Sequence, residues 1–164
     1  MELRSEAFQD GGVIPSRFTC EGEDVSPPLS WIGVPPEARA LALICEDPDA
    51  PLGTFVHWVL YDLPSQTSGV PEGVPAGADA PGGARQGKNG FGGIGFGGPC
   101  PPTGPYHRYF FTLYALDRPL GLESGAKKAE VERAMEGRVL AKAQVMGRYS
   151  KAKLASSVRR LFAR

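Results

Sequence analysis

Residues Phe91–Asp117 read FGGIGFGGPCPPTGPYHRYFFTLYALD. The first half is almost all Gly and Pro, and the second is an aromatic and apolar run. From His107 on, strict alternation places His107, Tyr109, Phe111, Leu113 and Ala115 on one face. Arg108, Phe110, Thr112, Tyr114 and Leu116 take the other. Both faces are largely apolar, which predicts a central strand. The junction carries His107, Arg108 and Tyr109, three side chains that bind or move protons. Flexible backbone feeding a rigid strand, with polar groups at the seam, builds the lip of a pocket.

Upstream, Pro64–Pro105 spans 42 residues with 13 Gly and 8 Pro. It shows no sustained periodicity, so inside a compact domain it is either functional or disordered. Its early part offers few groups to anchor it, whereas Phe91 and Phe96 can pin the later part. Gly93–Gly98 satisfies the spacing GxGxxG. A dinucleotide fingerprint must open a helix, and the Pro-Cys-Pro-Pro that follows cannot. What remains is a Gly-rich turn whose N–H groups can face an anion.

Thr54–Leu63 reads TFVHWVLYDL and predicts a second strand. Simple alternation puts Phe55, His57, Val59 and Tyr61 on one face. A lone histidine on an apolar face is ordinarily a hydrogen-bonded core residue. The Asp-rich turn DPDAP at Asp47–Pro51 tips His57 toward a site instead. That turn ends the run RALALICED at Arg39–Asp47, which is apolar on both faces and predicts a strand buried on both sides. The two prolines stiffen the turn, and a cis bond at Ala50–Pro51 is expected.

Toward the termini the pattern is simpler. SPPLSW at Ser26–Trp31 approaches a strand in extended form, with Trp31 in the core. Ser124–Gly137 predicts a helix capped by Ser124, burying Val131, Ala134 and Met135. Arg138–Tyr149 alternates as a strand. In 150–164, Leu154, Val158, Leu161 and Phe162 fall at helical spacing among Lys and Arg. This predicts a basic amphipathic helix over 152–162 that packs on its own body or on a homodimer partner.

The chain has 164 residues, 41% apolar and 22% charged, as expected of one soluble globular domain. Its 22 Gly and 16 Pro argue against an all-helical fold. Net charge is zero, yet residues 1–147 hold 12 basic and 18 acidic groups while the last 17 carry +6. An acidic body argues against nucleic acid as a partner. Cys20, Cys45 and Cys100 are odd in number and form no CxxC, which argues against a disulfide framework or a zinc site. No apolar run is long enough to span a membrane, and the N-terminus lacks a signal-peptide core. The expectation is a cytoplasmic protein with reduced thiols and no cofactor.

Taken together, CEGEDVSPPLSW, DPDAPLGTFVHWVLYDLP, GGPCPPTGPYHRY and MEGRVLAKAQVMGRY resemble the phosphatidylethanolamine-binding protein family, also called Raf kinase inhibitor-like proteins. The likeness is to the bacterial and archaeal branch. It implies a mainly β fold, a two-sheet antiparallel β-sandwich with Greek-key connections, over residues 1–149. Residues 150–164 extend it. It also implies a small pocket for phosphate, phosphoryl head groups, acetate or sulfate, built from Asp47, Pro48, Asp49, His57, Gly98, Pro99, His107 and Tyr109. Donors would be the histidines, the Tyr109 hydroxyl and the Gly98 N–H. Asp47 would fix a histidine tautomer. Anion affinity should then rise as pH falls, because imidazolium donates two hydrogen bonds. The expected function is a non-enzymatic module that binds a small anionic or phosphorylated ligand and modulates a protein partner such as a kinase or protease. Two alternatives remain: a serine protease inhibitor, and a hydrolase using the Asp/His cluster with Cys100.

Overall fold

The computed structural model describes residues 1–151. In chain order the elements are β1 (Glu2–Arg4), β2 (Leu29–Ile32), β3 (Ala40–Asp47), β4 (Phe55–Pro64), β5 (Gly69–Val70), β6 (Arg85–Gln86), β7 (His107–Leu116), α1 (Lys128–Met135) and β8 (Val139–Tyr149). Two antiparallel sheets result, one in the order β6-β4-β3-β7-β8 and one in the order β1-β2-β5. Among the described residues no helix is long and apolar enough to cross a membrane. The predicted helix over 152–162, with Leu154, Val158, Leu161 and Phe162, lies outside the described residues.

Strand β3 is the axis. Leu41, Leu43 and Cys45 join Leu3, Leu29, Trp31, Phe111 and Leu113 in a core that draws on both sheets. Ala42 and Ile44 join Val59, Tyr61, Val131 and Met135 in a second core on the opposite face. A strand covered on both sides needs an unbroken apolar run, and ALALIC supplies it. Truncating one such residue, Leu43→Ala, should cost about 2–5 kcal/mol.

The helix begins later than its Ser124 cap would have it. It opens after Lys127, whose N–H donates to the Glu130 carboxylate at 3.2 Å. The reason is Tyr61. Its hydroxyl donates to the Glu123 carbonyl at 2.6 Å and accepts the Ala126 N–H at 3.2 Å. Gly125 between them has φ +84°, which a helix cannot use. The tyrosine thus holds 123–126 out of the helix.

The cysteine expectation is corrected. Cys20 and Cys100 form a disulfide across 80 residues of sequence, and Cys45 is the free, buried thiol. A pair so far apart leaves no local spacing to read. The expectation of reduced thiols falls, the cytoplasmic assignment loses that support, and Cys100 is not a free nucleophile.

The Gly- and Pro-rich segment is ordered by a side chain the sequence does not single out. Gln86 is fully buried. Its Oε1 accepts the Trp58 indole N–H at 2.7 Å. Its Nε2 donates to the carbonyls of Pro75, Gly77 and Asp79 at 2.8, 3.0 and 3.3 Å. One amide therefore ties a loop without periodicity to the core strand β4. Gln86→Leu keeps the volume but orphans the indole N–H and the carbonyls. At about 1–3 kcal/mol per buried unsatisfied group, denaturant titration should show at least ~3 kcal/mol of lost stability.

Candidate functional site

The sheet order makes the site before any side chain is considered. β4 and β7 flank β3, and both run antiparallel to it. The C-terminal end of β3 therefore meets the N-terminal ends of β4 and β7. Asp47 pairs with Phe55, and Glu46 pairs with Phe110. Residues distant in sequence, near 47, 57 and 107, become neighbours.

A β-bulge then aims His57. Cys45 pairs with Trp58 and Glu46 with Val56, so His57 is an extra residue in β4. Simple alternation would have grouped His57 with Val59 and Tyr61. The bulge breaks that pattern. Val59 and Tyr61 face the outer core, Trp58 faces the core between the sheets, and the His57 ring lies beside Tyr109 at 5.1 Å between centroids.

These residues enclose a cavity of about 110 Å³ lined by Asp47, Ala50, Pro51, Phe55, His57, Phe91, Cys100, Pro101, Pro102, His107 and Tyr109. That is well above the ~10–15 Å³ one water needs. It is below the ~300 Å³ where drug-sized sites begin. The volume suits a small ligand.

Asp47 is buried at 3% exposure. Burying a carboxylate requires partners. Oδ2 accepts the His107 Nδ1–H at 2.7 Å, and Oδ1 accepts the Asp49 N–H at 2.7 Å. The first bond fixes the histidine tautomer; the second closes the turn. With the turn closed this way, the peptide bonds of the described residues are all trans, which corrects the cis expectation at Ala50–Pro51. Asp49 points the other way. Its carboxylate accepts the Arg108 backbone N–H, Nε–H and Nη2–H, each at 2.9 Å. The Arg108 guanidinium pulls its pKa down to about 2. Asp49 clamps the turn to β7 from outside, and neither it nor Pro48 lines the cavity.

His57 is held by Gly97. Its Nδ1–H donates to the Gly97 carbonyl at 2.6 Å, and its own carbonyl accepts the Gly97 N–H at 2.9 Å. Phe55, Phe91 and Tyr109 surround the ring at 5.0, 5.8 and 5.1 Å. Burial lowers the His57 pKa, against the opposing pull of the Gly97 carbonyl. Above that lowered value the ring is neutral, with Nε2 as a lone-pair acceptor. A His57 that donates twice then requires a lower pH than an ordinary histidine would. Gly98 and Pro99 stand behind the wall. The Gly98 N–H donates to Asp24 Oδ1 at 2.8 Å, so it is spent. A Cβ at Gly98 would lie 2.3 Å from that oxygen and 2.4 Å from the Phe18 carbonyl, so no other residue fits. Asp24, which the sequence reading missed, is the anchor of this wall.

Tyr109 is 1% exposed, and its hydroxyl has no hydrogen-bond partner among the described residues. Burial, reinforced by Asp47, raises its pKa, so it stays a neutral O–H donor. An orphaned donor at the wall of a cavity carries the cost of an unmade bond until a ligand or water accepts it.

Because His57 is buried neutral, its proton affinity is lower folded than unfolded. Its contribution to stability is present above the reference value of about 6.5 and is lost as pH falls toward the depressed folded value. Urea titration of the wild type should show stability falling between pH 7.5 and about 5. His57→Gln should flatten that slope. An unchanged slope in the variant would assign it to other groups.

A sequence model described as phosphatidylethanolamine-binding protein matches residues 4–150. A UPF0098 protein of Methanothermobacter thermautotrophicus is 55% identical over 149 residues, covering 91% of this chain and 98% of that protein. One from Aquifex aeolicus is 48% identical over 153 residues, covering 92% and 89%. A crystal structure of a phosphatidylethanolamine-binding protein homologue from Chlamydia trachomatis superposes with TM-score 0.83 at 43% identity, covering 92% of this chain and 97% of that one. That of E. coli YbcL, described as a new member of the mammalian family, gives TM-score 0.84 at 31% identity, covering 92% and 98%. With a family match along nearly its whole described length, the same two-sheet fold and relatives this similar, the chain belongs to the phosphatidylethanolamine-binding protein family.

Proposed function

We propose that the chain is a non-enzymatic module that binds small phosphoryl compounds in the pocket between β3, β4 and β7. The observation that carries this reading is the buried Tyr109 hydroxyl, unpartnered among the described residues, beside two histidines in a cavity of about 110 Å³. The family name is consistent with a phosphoryl ligand. Cys100 is tied to Cys20, so the hydrolase alternative that used its thiol loses that nucleophile. Exposed Leu52, Phe91 and Tyr106 lie in or beside the segments that line the pocket. They form the surface on which a partner protein would sense occupancy.

The donor set chooses the ligand's protonation state. Tyr109 donates, so it meets a phosphoryl oxygen. His57 Nε2 accepts, so it meets a P–O–H. A monoanion satisfies both, whereas a dianion would set a bare oxygen against a lone pair. Phosphate monoesters take up that proton near pH 6. Affinity should therefore rise as pH falls through about 6, as the ligand gains its proton. Calorimetric titration of O-phosphoethanolamine between pH 5 and 8 tests the direction. Tyr109→Phe keeps the ring and removes the donor. A hydrogen bond to a charged group is worth about 1.5–3 kcal/mol, so affinity should fall roughly tenfold or more. Equal affinity in Tyr109→Phe, or tighter binding at high pH, would refute the assignment.

A further inference from the structure

We infer that the Cys20–Cys100 disulfide is a thiol–disulfide exchange site that sets the ligand affinity of the pocket, a proposal that rests on the binding reading above. Cys100 is part of the cavity wall, and both cysteines are exposed at the surface. Exposed disulfides are the ones open to exchange. Cys45, in contrast, is buried in the core and out of reach.

Among the described residues the wall has few other ties, the Thr103–Lys151 bridge beyond it being one. Pro99, Pro101 and Pro102 have no N–H to donate. The hydrogen bonds that fasten Gly98 and Pro99 both run to the loop of residues 19–24. The Gly98 N–H donates to Asp24 Oδ1 at 2.8 Å, and the Cys20 N–H donates to the Pro99 carbonyl at 3.1 Å. The disulfide is the covalent member of this attachment. Gly97, one residue before Gly98, carries the carbonyl that fixes His57 Nδ1–H at 2.6 Å. A change at Cys100 therefore reaches His57 through three residues of backbone and one hydrogen bond.

The chemistry balances with a dithiol as reductant. Its thiolate attacks one Sγ and displaces the other as thiolate, which takes a proton. The second thiol then attacks the mixed disulfide. Two electrons and two protons pass to the protein, Cys20 and Cys100 leave as thiols, and the dithiol leaves as a cyclic disulfide. The freed Cys100–Pro102 wall relaxes, His57 loses its fixed tautomer, and ligand affinity drops. The two buried cores do not include this bond and stay folded.

The test is a dithiothreitol titration of the folded protein with four readouts: thiols by colorimetric reagent, circular dichroism, the ring NMR signals of the two histidines, and calorimetric O-phosphoethanolamine affinity. Two thiols should appear with the dichroism unchanged. The His57 ring signals should shift without any ligand present. Affinity should fall at least about fivefold, the lower end of typical coupling between sites. The double variant Cys20→Ser/Cys100→Ser should match the reduced form. The inference is overturned if the thiols appear only on unfolding, or if they appear while the His57 signals and the affinity stay fixed. If the oxidised protein binds no O-phosphoethanolamine at all, the binding reading fails by itself. The histidine signals still judge whether the disulfide controls the pocket.

Discussion

A buried carboxylate holds the site together. Asp47 sits at the end of the most buried strand, where an unpaired charge would be costly. Its two oxygens are spent on His107 Nδ1–H and on the Asp49 N–H. One bond joins β3 to β7, and the other shapes the turn that leads into β4. The turn in turn sends Asp49 outward to grip Arg108. A two-residue spacing thus sends one acid to the pocket and the other to the surface, each with a different task.

Everything else in the pocket follows from where the strands end. With β3 between two antiparallel neighbours, one edge of the sheet collects one C-terminus and two N-termini. The rim is made of turns, where prolines and glycines bring backbone close. The bulge at His57 then supplies what regular pleating could not, a polar ring and the Trp58 anchor on the same side of one strand. Trp58 holds Gln86 and His57 holds Gly97, so two successive residues of β4 order two parts of the long Gly- and Pro-rich segment. The loop is not ordered by its own periodicity but by what β4 offers it.

Much of this was legible in the sequence. The continuous run ALALIC, the aromatic run after His107 and the alternation up to Tyr149 each gave a strand where one stands. Asp47, His57, His107 and Tyr109 could be grouped because the motifs around them resemble one family. What was not legible depended on tertiary partners. The bulge at His57 leaves no mark in a pattern read with period two. The helix start was displaced by Tyr61, a residue some 60 positions earlier. Gln86 looks like any polar loop residue until Trp58 is placed above it. The disulfide joins residues 80 apart, and the odd cysteine count hid it. The charge state of His57 is likewise set by the walls around it, not by its neighbours in sequence.

The central claim is that one phosphoryl group is shared between a donor on Tyr109 and an acceptor on His57. A crystal structure of the protein with O-phosphoethanolamine at pH 5.5 addresses it directly. The account predicts the phosphoryl group inside the cavity, with one oxygen about 2.7 Å from Tyr109 Oη and another within about 3 Å of His57 Nε2. A phosphoryl group seated elsewhere on the surface, with the Tyr109 hydroxyl bonded only to water or protein, would contradict it.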